Sequence, residues 1–234
     1  MIDTKYFFKG FKSIKGVGSP AIALAASFVA IGALLKNLGF TIQESIFSTF
    51  LTYALPGSLV MAESMLIGAS LINIFLAVWL VNARLYPMTV ALMPLLIHKS
   101  QPRWKYYLSC HFIAVSSWLI MKDNYELVDK ENRIDFWIGI GTATWSVAIF
   151  STVIGYIASD FLNKDILIGL AIINPIYFIC MMLSAMKTIQ ITLSVTLGAI
   201  LGPIFYFLSP EWCILFGGFF AGTIAFLIGE KNAQ

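Results

Sequence analysis

The feature that most constrains this chain is a series of apolar runs, each about as long as a membrane-spanning helix. A helix needs about 20 mainly apolar residues to cross a bilayer, and such runs follow one another along almost the whole sequence. Candidate spans cover residues 18–35, 43–62, 64–83, 106–121, 136–158, 166–186, 188–208 and 212–228, with a shorter run at 85–97. The pattern predicts an all-α protein, a polytopic membrane helix bundle with about 7–9 transmembrane segments.

The composition also indicates a membrane protein. Of the 234 residues, 59% are hydrophobic and only 12% are charged, whereas soluble domains average about 25% charged residues. The predicted organisation is a basic amphipathic N-terminal segment at 1–17, one integral-membrane domain at 18–229 and a short tail at 230–234. The net charge of +3 is too small to suggest a nucleic-acid partner, so membrane lipid is the expected surrounding.

Motifs for catalysis are absent from the sequence. It contains no zinc helix, no phosphate-binding loop and no nucleophile elbow. We therefore expect a protein that is not an enzyme, with neither a cofactor nor a metal site. An intramembrane enzyme would have to pair His111 with Ser116 or Ser117. The glycine pairs at 139/141 and 217/218 are interpreted as sites of close helix packing.

The distribution of Lys and Arg predicts the orientation of the chain. Four lysines lie in the first fifteen residues, three basic residues lie in 98–105, and segment 122–135 is mainly acidic. Because basic residues collect on the cytoplasmic side, the first two segments are predicted to lie inside and the third outside, which requires run 85–97 to cross the membrane. The basic start has apolar residues at helical spacing, which predicts a short helix on the membrane surface.

Breaks in the apolar runs are the most informative feature for function. Pro56-Gly57 interrupts the second run, Asn174-Pro175 interrupts run 166–186, and residues 64–97 are too many for one crossing and few for two. Unpaired backbone survives at membrane depth only where it is buried in protein or lines a polar cavity. A helix start there offers N–H groups to an anion and a helix end offers carbonyls to a cation. Such breaks indicate a transporter's binding site, and they suit an amino acid, which carries both charges.

A possible internal repeat links these breaks. Thr52-Tyr53 and Thr144-Trp145 lie 92 residues apart in the sequence, as do Asn82 and Asn174. Broken helices at corresponding positions of two halves are typical of transporters. The alternative is a chance match between apolar segments.

Several segments, taken in order, resemble the AzlC family of branched-chain amino acid exporters. They are FKGFKSIKG at the start, NLGFTIQESIFSTF at 37–50, the Pro-Gly-Ser break at 56–58, LVNARLYPMTVAL at 80–92 and PRWKYY at 102–107. The resemblance implies the large subunit of a two-protein permease in the bacterial inner membrane. It further implies export of branched-chain amino acids, a small AzlD-type membrane partner and the proton gradient as energy source.

The chain departs from the family pattern at three places. Leu59 stands where a glutamine is common, Leu85 stands where a histidine is common, and Val115-Ser116-Ser117-Trp118 replaces a usual acidic pair. Loss of the glutamine leaves a more apolar site, which suits aliphatic side chains. Loss of the acidic pair indicates different coupling or a different substrate.

The predicted substrate-binding residues lie at and around the breaks. Pro56, Gly57 and Ser58, with Asn174 and Pro175, are expected to present backbone dipoles to the substrate's carboxylate and ammonium groups. Asn82 and Arg84 would support the breaks or contact the carboxylate, and Tyr53, Tyr86 and Trp145 would form the wall of the side-chain pocket.

Alternatives remain open for several of these residues. The two asparagines could instead join helices through hydrogen bonds, and Arg84 could be an interfacial end charge. Glu44 is interpreted as a helix cap after Thr41. For the whole chain, the alternative to a transporter is a structural or assembly membrane subunit without its own substrate pathway.

Overall fold

The computed structural model describes residues 2–15, 20–66, 68–161, 163, 165–166, 168–169, 172, 176, 179–180, 182–183, 186, 189–208 and 213–231. Where the chain is described it is helical, which confirms the all-α class. The helices with described bounds are α1 (Thr4–Lys12), α2 (Pro20–Asn37), α3 (Ile42–Thr52), α4 (Leu55–Leu66), α5 (Leu71–Asn82), α6 (Leu85–Leu96), α7 (Arg103–Ser109), α8 (Val115–Asn124), α9 (Arg133–Ala158), α10 (Ile189–Leu208) and α11 (Cys213–Lys231). The chain divides into two compact units, Met1–Asn174 and Pro175–Gln234.

Helix α9 is the central element of the first unit, and α1 and α2 pack on it through glycines. A Cβ atom added to Gly10 of α1 would collide with the carbonyl of Phe136, and one added to Gly139 would collide with the carbonyl of Phe7. The same reciprocal contact joins α2 to α9 further along, at Gly32 and Gly155. Glycine is required at these positions because the two backbones touch, which is the usual packing device of membrane helices.

Local signals in the sequence explain where several helices begin. Thr41 and Glu44 form a capping box at the start of α3: the carboxylate accepts from Thr41 N at 2.7 Å, and Thr41 Oγ1 accepts from Glu44 N at 3.3 Å. Asp3 caps α1 by accepting from Lys5 N at 2.9 Å. The interpretation of Glu44 as a cap is confirmed, because both reciprocal bonds are present.

Fewer helices are long enough to cross a membrane than the apolar runs predict. In the described part of the chain, three helices are long and apolar enough to cross a membrane: Pro20–Asn37, Lys130–Ala158 and Ile189–Leu208. The pair α5 and α6, bent by 47°, could act as a fourth. The predicted 7–9 segments are therefore not confirmed. Runs 43–62 and 106–121 are each divided into two shorter helices.

The predicted orientation of the loops is wrong in one respect. Lys9 Nζ donates to Leu127 O at 2.9 Å, and Gln101 Nε2 donates to Glu131 O at 3.0 Å. The basic start, segment 98–105 and segment 122–135 thus lie together, so they cannot lie on opposite faces of a membrane. The charge distribution predicted that these segments lie apart, but side-chain hydrogen bonds to backbone carbonyls join them directly.

The N-terminal helix is confirmed, but it does not lie free on a surface. Helix α1 packs on α9 at Gly10, and Tyr6, Phe7 and Ile14 contact the apolar core beneath it. Phe8 is 57% exposed and remains available to lipid. The predicted amphipathic character is therefore used mainly for packing within the protein.

The second unit contains the helix pair α10 and α11. A Cβ atom on Gly217 would lie 3.3 Å from Gly202 Cα, so the two backbones approach closely there. Phe205 stacks on Phe220 with ring centroids 5.6 Å apart. The packing role predicted for the glycine pairs is confirmed for Gly139, Gly141 and Gly217, whereas a Cβ atom on Gly218 would meet open space.

The predicted repeat does not hold at its first pair of positions. Thr52-Tyr53 ends α3 at a break, whereas Thr144-Trp145 lies in the middle of the unbroken helix α9. The two positions therefore differ in structure. Asn174 and Pro175, the other predicted break, lie outside the described residues.

Candidate functional site

The second apolar run breaks at Tyr53-Ala54, before the Pro-Gly pair that was predicted to break it. Tyr53 adopts φ 36° and ψ 32°, a left-handed conformation that is strained for a bulky side chain. The first helical hydrogen bond of α4 runs from Ser58 N to Ala54 O at 2.9 Å. Pro56 thus lies in the first turn of α4, where its missing N–H costs nothing, and the predicted position of the break is corrected by a few residues.

The end of α3 presents its last carbonyls to neighbouring elements. Phe50 O accepts a hydrogen bond from Trp145 Nε1 at 3.3 Å and lies 3.0 Å from His111 Nε2. The rings of Phe50 and Trp145 lie 4.6 Å apart. Because α3 stops at Thr52, this carbonyl has no partner in its own helix, and side chains of two other segments supply the donors.

Tyr53 is the residue around which the breaks meet. Its side chain is 2% exposed, and its ring stacks on Phe28 at 6.5 Å and lies 6.3 Å from the ring of His111. Its hydroxyl faces the hydroxyls of Thr144 and Ser117 but makes no hydrogen bond of ordinary length and angle.

A further break lies at Ile113-Ala114, between the short 3-10 turn Cys110–Phe112 and α8. Ser117 holds this break: its hydroxyl accepts from Ala114 N at 3.0 Å and lies 2.6 Å from Phe112 O. Ala114 packs in the same buried cluster as Tyr53. The start of α8 therefore adjoins the break between α3 and α4.

The start of α4 also meets the end of α5. A Cβ atom added to Gly57 would lie 2.6 Å from Nδ2 and 2.9 Å from Oδ1 of Asn82. The chain then bends by 47° between α5 and α6 at Ala83-Arg84. Gly57 is thus needed for the Asn82 amide to reach this position. The contact brings together the break before α4 and the bend after α5, which the sequence had predicted separately.

Polar groups without partners collect at these breaks. Tyr53 Oη, Ser58 Oγ, Asn82 Oδ1 and Arg84 Nε are buried atoms that make no hydrogen bond. The N–H groups of Leu55 and Gly57, in the first turn of α4, also donate none of the described hydrogen bonds. Burying such groups without a partner costs about 1–3 kcal/mol each in proteins. Free N–H groups at a helix start can donate to an anion, and free carbonyl oxygens at a helix end can accept from a cation.

The predicted site residues divide into those that meet at this site and those that do not. Tyr53, Pro56, Gly57, Ser58, Asn82 and Trp145 belong to the break region through the contacts above, and Arg84 follows Asn82 at the bend. Tyr86, in contrast, is 74% exposed on α6, so the structure does not place it in a pocket wall. Asn174 and Pro175 lie outside the described residues.

Sequence reasoning missed His111 as part of this region, since it had been considered as a functional residue only as a partner of Ser116 or Ser117; its side chain is exposed but contacts Phe50 O. Nothing local to residue 111 indicates its contact with Phe50, which lies 61 positions away. None of the described hydrogen bonds joins His111 to Ser116 or Ser117: His111 Nε2 lies 3.0 Å from Phe50 O, and Ser117 Oγ lies 2.6 Å from Phe112 O. Among the described side chains, none forms an ion pair with Arg84.

Sequence reasoning also missed a buried ion pair away from the breaks. Lys105 Nζ lies 2.6 Å from Asp135 Oδ1, with the two side chains 0% and 1% exposed. The other carboxylate oxygen accepts from Asp3 N at 3.0 Å. This pair joins α7 and the chain start to the first turn of α9, so its position is structural.

Comparison with known proteins gives one match, to a protein family. The family model described as AzlC protein matches residues 20–162, which is more than half of the chain. No curated protein and no solved structure matches the chain significantly. The matched segment contains α2 to α9 and therefore every described break of the candidate site. The chain belongs to the AzlC family.

Proposed function

We propose that this protein is the large subunit of a secondary transporter that exports small hydrophobic amino acids, the branched-chain ones above all. It acts in the bacterial cytoplasmic membrane with its N-terminus inside, together with a small AzlD-type membrane subunit, and is driven by protons. Membership of the AzlC family supports a role in membrane transport rather than catalysis, and the long apolar helices support a membrane location.

The observation that carries the proposal is the meeting of unpartnered polar groups at the helix breaks. Leu55 and Gly57 offer free N–H groups at the positive end of α4, and the Ser58 hydroxyl lies in the same turn. These groups suit the carboxylate of an amino acid. The carbonyl end of α3 and Asn82 Oδ1 suit its ammonium group.

Apolar residues beside the break suit an aliphatic substrate side chain. Tyr53 belongs to a buried cluster with Leu24, Phe28, Ile31 and Leu35 of α2, and Trp145 packs against its edge. Asn82 and Arg84 contribute polar atoms at the bend between α5 and α6, where Asn82 contacts Gly57. Polar atoms and the apolar cluster therefore both adjoin the break. Leucine, isoleucine, valine and methionine combine charged backbone groups with an apolar side chain, which suits both kinds of surface.

Efflux from dipeptide-loaded cells tests this function. Cells lacking the chain are compared with cells that express it, each with and without the small partner, and the four amino acids are measured inside and outside. We expect lower internal accumulation only when the transporter is complete. Unchanged accumulation of all four would reject the proposed substrates and would favour a structural or assembly subunit.

Ser58 provides the sharper test of the site. Replacing it by alanine removes a hydroxyl that is 1% exposed and makes no hydrogen bond within the protein. If it binds the carboxylate, the loss is worth about 1.5–3 kcal/mol, and the KM for export should rise roughly tenfold or more. Ser45→Ala is the matched control, because that hydroxyl is equally buried but bonds to Thr41 O at 2.9 Å. Equal KM values for Ser58→Ala and Ser45→Ala, at equal membrane abundance, would contradict the assignment of Ser58 to the substrate carboxylate.

A further inference from the structure

The position of His111 determines which of its nitrogens can take up a proton. Nε2 lies 3.0 Å from Phe50 O, and a carbonyl only accepts, so Nε2 carries hydrogen. In the neutral ring, Nδ1 then carries no hydrogen. It takes part in none of the described hydrogen bonds. Histidine ordinarily changes charge between about pH 5 and 8. A proton taken up at Nδ1 puts a positive charge at the carbonyl end of α3.

The groups that face His111 come from α3, from α9 and from its own segment. Helix α3 and the break present Phe50 and the phenol of Tyr53, and α9 presents the uncharged Trp145. On its own segment it is flanked by the Cys110 thiol and by Phe112. The preceding α7 carries Tyr106, Tyr107, Arg103 and Lys105, of which Lys105 is paired with Asp135. No described carboxylate forms an ion pair with His111.

We propose that His111 is the proton-binding residue that couples amino acid export to the proton gradient, an inference that rests on the proposed function. Its Nδ1 lone pair takes a proton from hydronium on one side of the membrane, leaving water, and the imidazolium later returns that proton to water on the other side. This assigns coupling to a residue that contacts the end of α3 at the break.

The geometry also explains why the two cargoes would move in opposite directions. The imidazolium and the substrate's ammonium both favour the negative, C-terminal end of α3. Like charges at neighbouring carbonyls repel, so either one disfavours the other. The site then holds a proton or an amino acid in turn, which is the condition for exchange of one against the other.

The test compares gradient-driven uptake with exchange in proteoliposomes that contain the full chain and its small partner. Labelled leucine is added outside vesicles that are either acidic inside or at equal pH but preloaded with leucine. We expect the ratio of gradient-driven uptake to exchange to fall at least tenfold in His111→Gln, which retains a donor for Phe50 but cannot titrate. His98→Gln, the matched control in a loop, should keep the wild-type ratio, because His98 bonds to Ser100 away from the break.

Each outcome has a separate meaning. Absence of leucine exchange by the wild type would overturn the proposed function. Exchange without any response to the gradient would overturn the proton drive of the proposed function together with the coupling assignment, whereas an unchanged ratio in His111→Gln would overturn the coupling assignment alone. If His111→Gln shows no exchange, the coupling assignment is tested by leucine binding to the purified wild type and variant at two pH values. Wild-type affinity should fall from pH 8 to pH 6, and the variant's affinity should not; a fall of equal size in both would overturn the assignment.

Discussion

At the scale of single residues, the two charged side chains that are almost fully buried in the described part of the chain pair with each other. Lys105 and Asp135 are almost fully buried and lie 2.6 Å apart, with further hydrogen bonds from Lys105 to Gln101 and from Asp3 N to Asp135. Removing one partner of such a pair leaves an uncompensated charge, which is more costly than the pair itself is stabilising. The pair therefore constrains which residues can stand at both positions.

We expect Lys105→Met to lower the free energy of unfolding by about 3–5 kcal/mol, because Asp135 then remains buried without its cation. The double variant Lys105→Met with Asp135→Leu should recover most of that loss, since no charge is left buried. Melting temperatures in detergent measure both. A double variant no more stable than Lys105→Met would show that the packing of Lys105, rather than its charge, is what matters.

Gly57 and Asn82 form a second pair whose coupling can be measured. Gly57→Ala places a Cβ atom 2.6 Å from the Asn82 amide nitrogen, so the amide must move, at a cost of about 1–3 kcal/mol. In an Asn82→Ala background the same change should cost clearly less, with a coupling energy of at least about 0.5 kcal/mol. Thermal unfolding of the four proteins gives that energy. Additive effects would mean that the two residues do not contact each other.

At the scale of helices, glycine contacts and breaks have different origins in the sequence. Gly139 was expected to pack closely, and it does so because a neighbouring backbone passes over it. The break at Tyr53-Ala54 lies close to Pro56, so a local signal pointed to it. The break at Ile113-Ala114 has neither proline nor glycine and is held by the Ser117 hydroxyl, so composition alone did not reveal it.

Gly155→Ala should destabilise the first unit, because the added Cβ would collide with the carbonyl of Val29 on α2. Backbone cannot move aside as a flexible side chain can, so the expected loss is at least about 1–3 kcal/mol. Gly218→Ala serves as the control, since a Cβ atom there meets nothing within 4 Å. Equal melting temperatures of the two variants would show that α2 and α9 do not approach as described.

At the scale of the whole molecule, the structure of the first unit groups three polar segments at one end. The chain start, segment 98–105 and segment 122–135 are joined by the bonds of Lys9, Gln101 and Lys105. A membrane protein cannot place bonded segments on opposite faces of a bilayer. All three therefore share one face, and the proposed orientation makes it the cytoplasmic one.

Single cysteines at Lys12, Lys99 and Glu131, all exposed positions, test this arrangement in a background without the three native cysteines. We expect none of them to react with a membrane-impermeant maleimide in intact cells and all to react in inverted vesicles. Reaction of the cysteine at 131 alone in intact cells would contradict the shared face. Reaction of all three in intact cells would keep the shared face and reverse the orientation.

The sequence by itself determined the helical membrane class, the AzlC resemblance, the cap at Glu44 and the presence of a break near Pro56. These features depend on run length, on spacing within one turn and on neighbouring residues, which are all local. Only the tertiary structure decided that Gly57 meets Asn82, that His111 and Trp145 share the Phe50 carbonyl, and that the three polar segments lie together. Those contacts join residues far apart in the chain, and they depend on how closely helix backbones approach, a property that no local pattern contains.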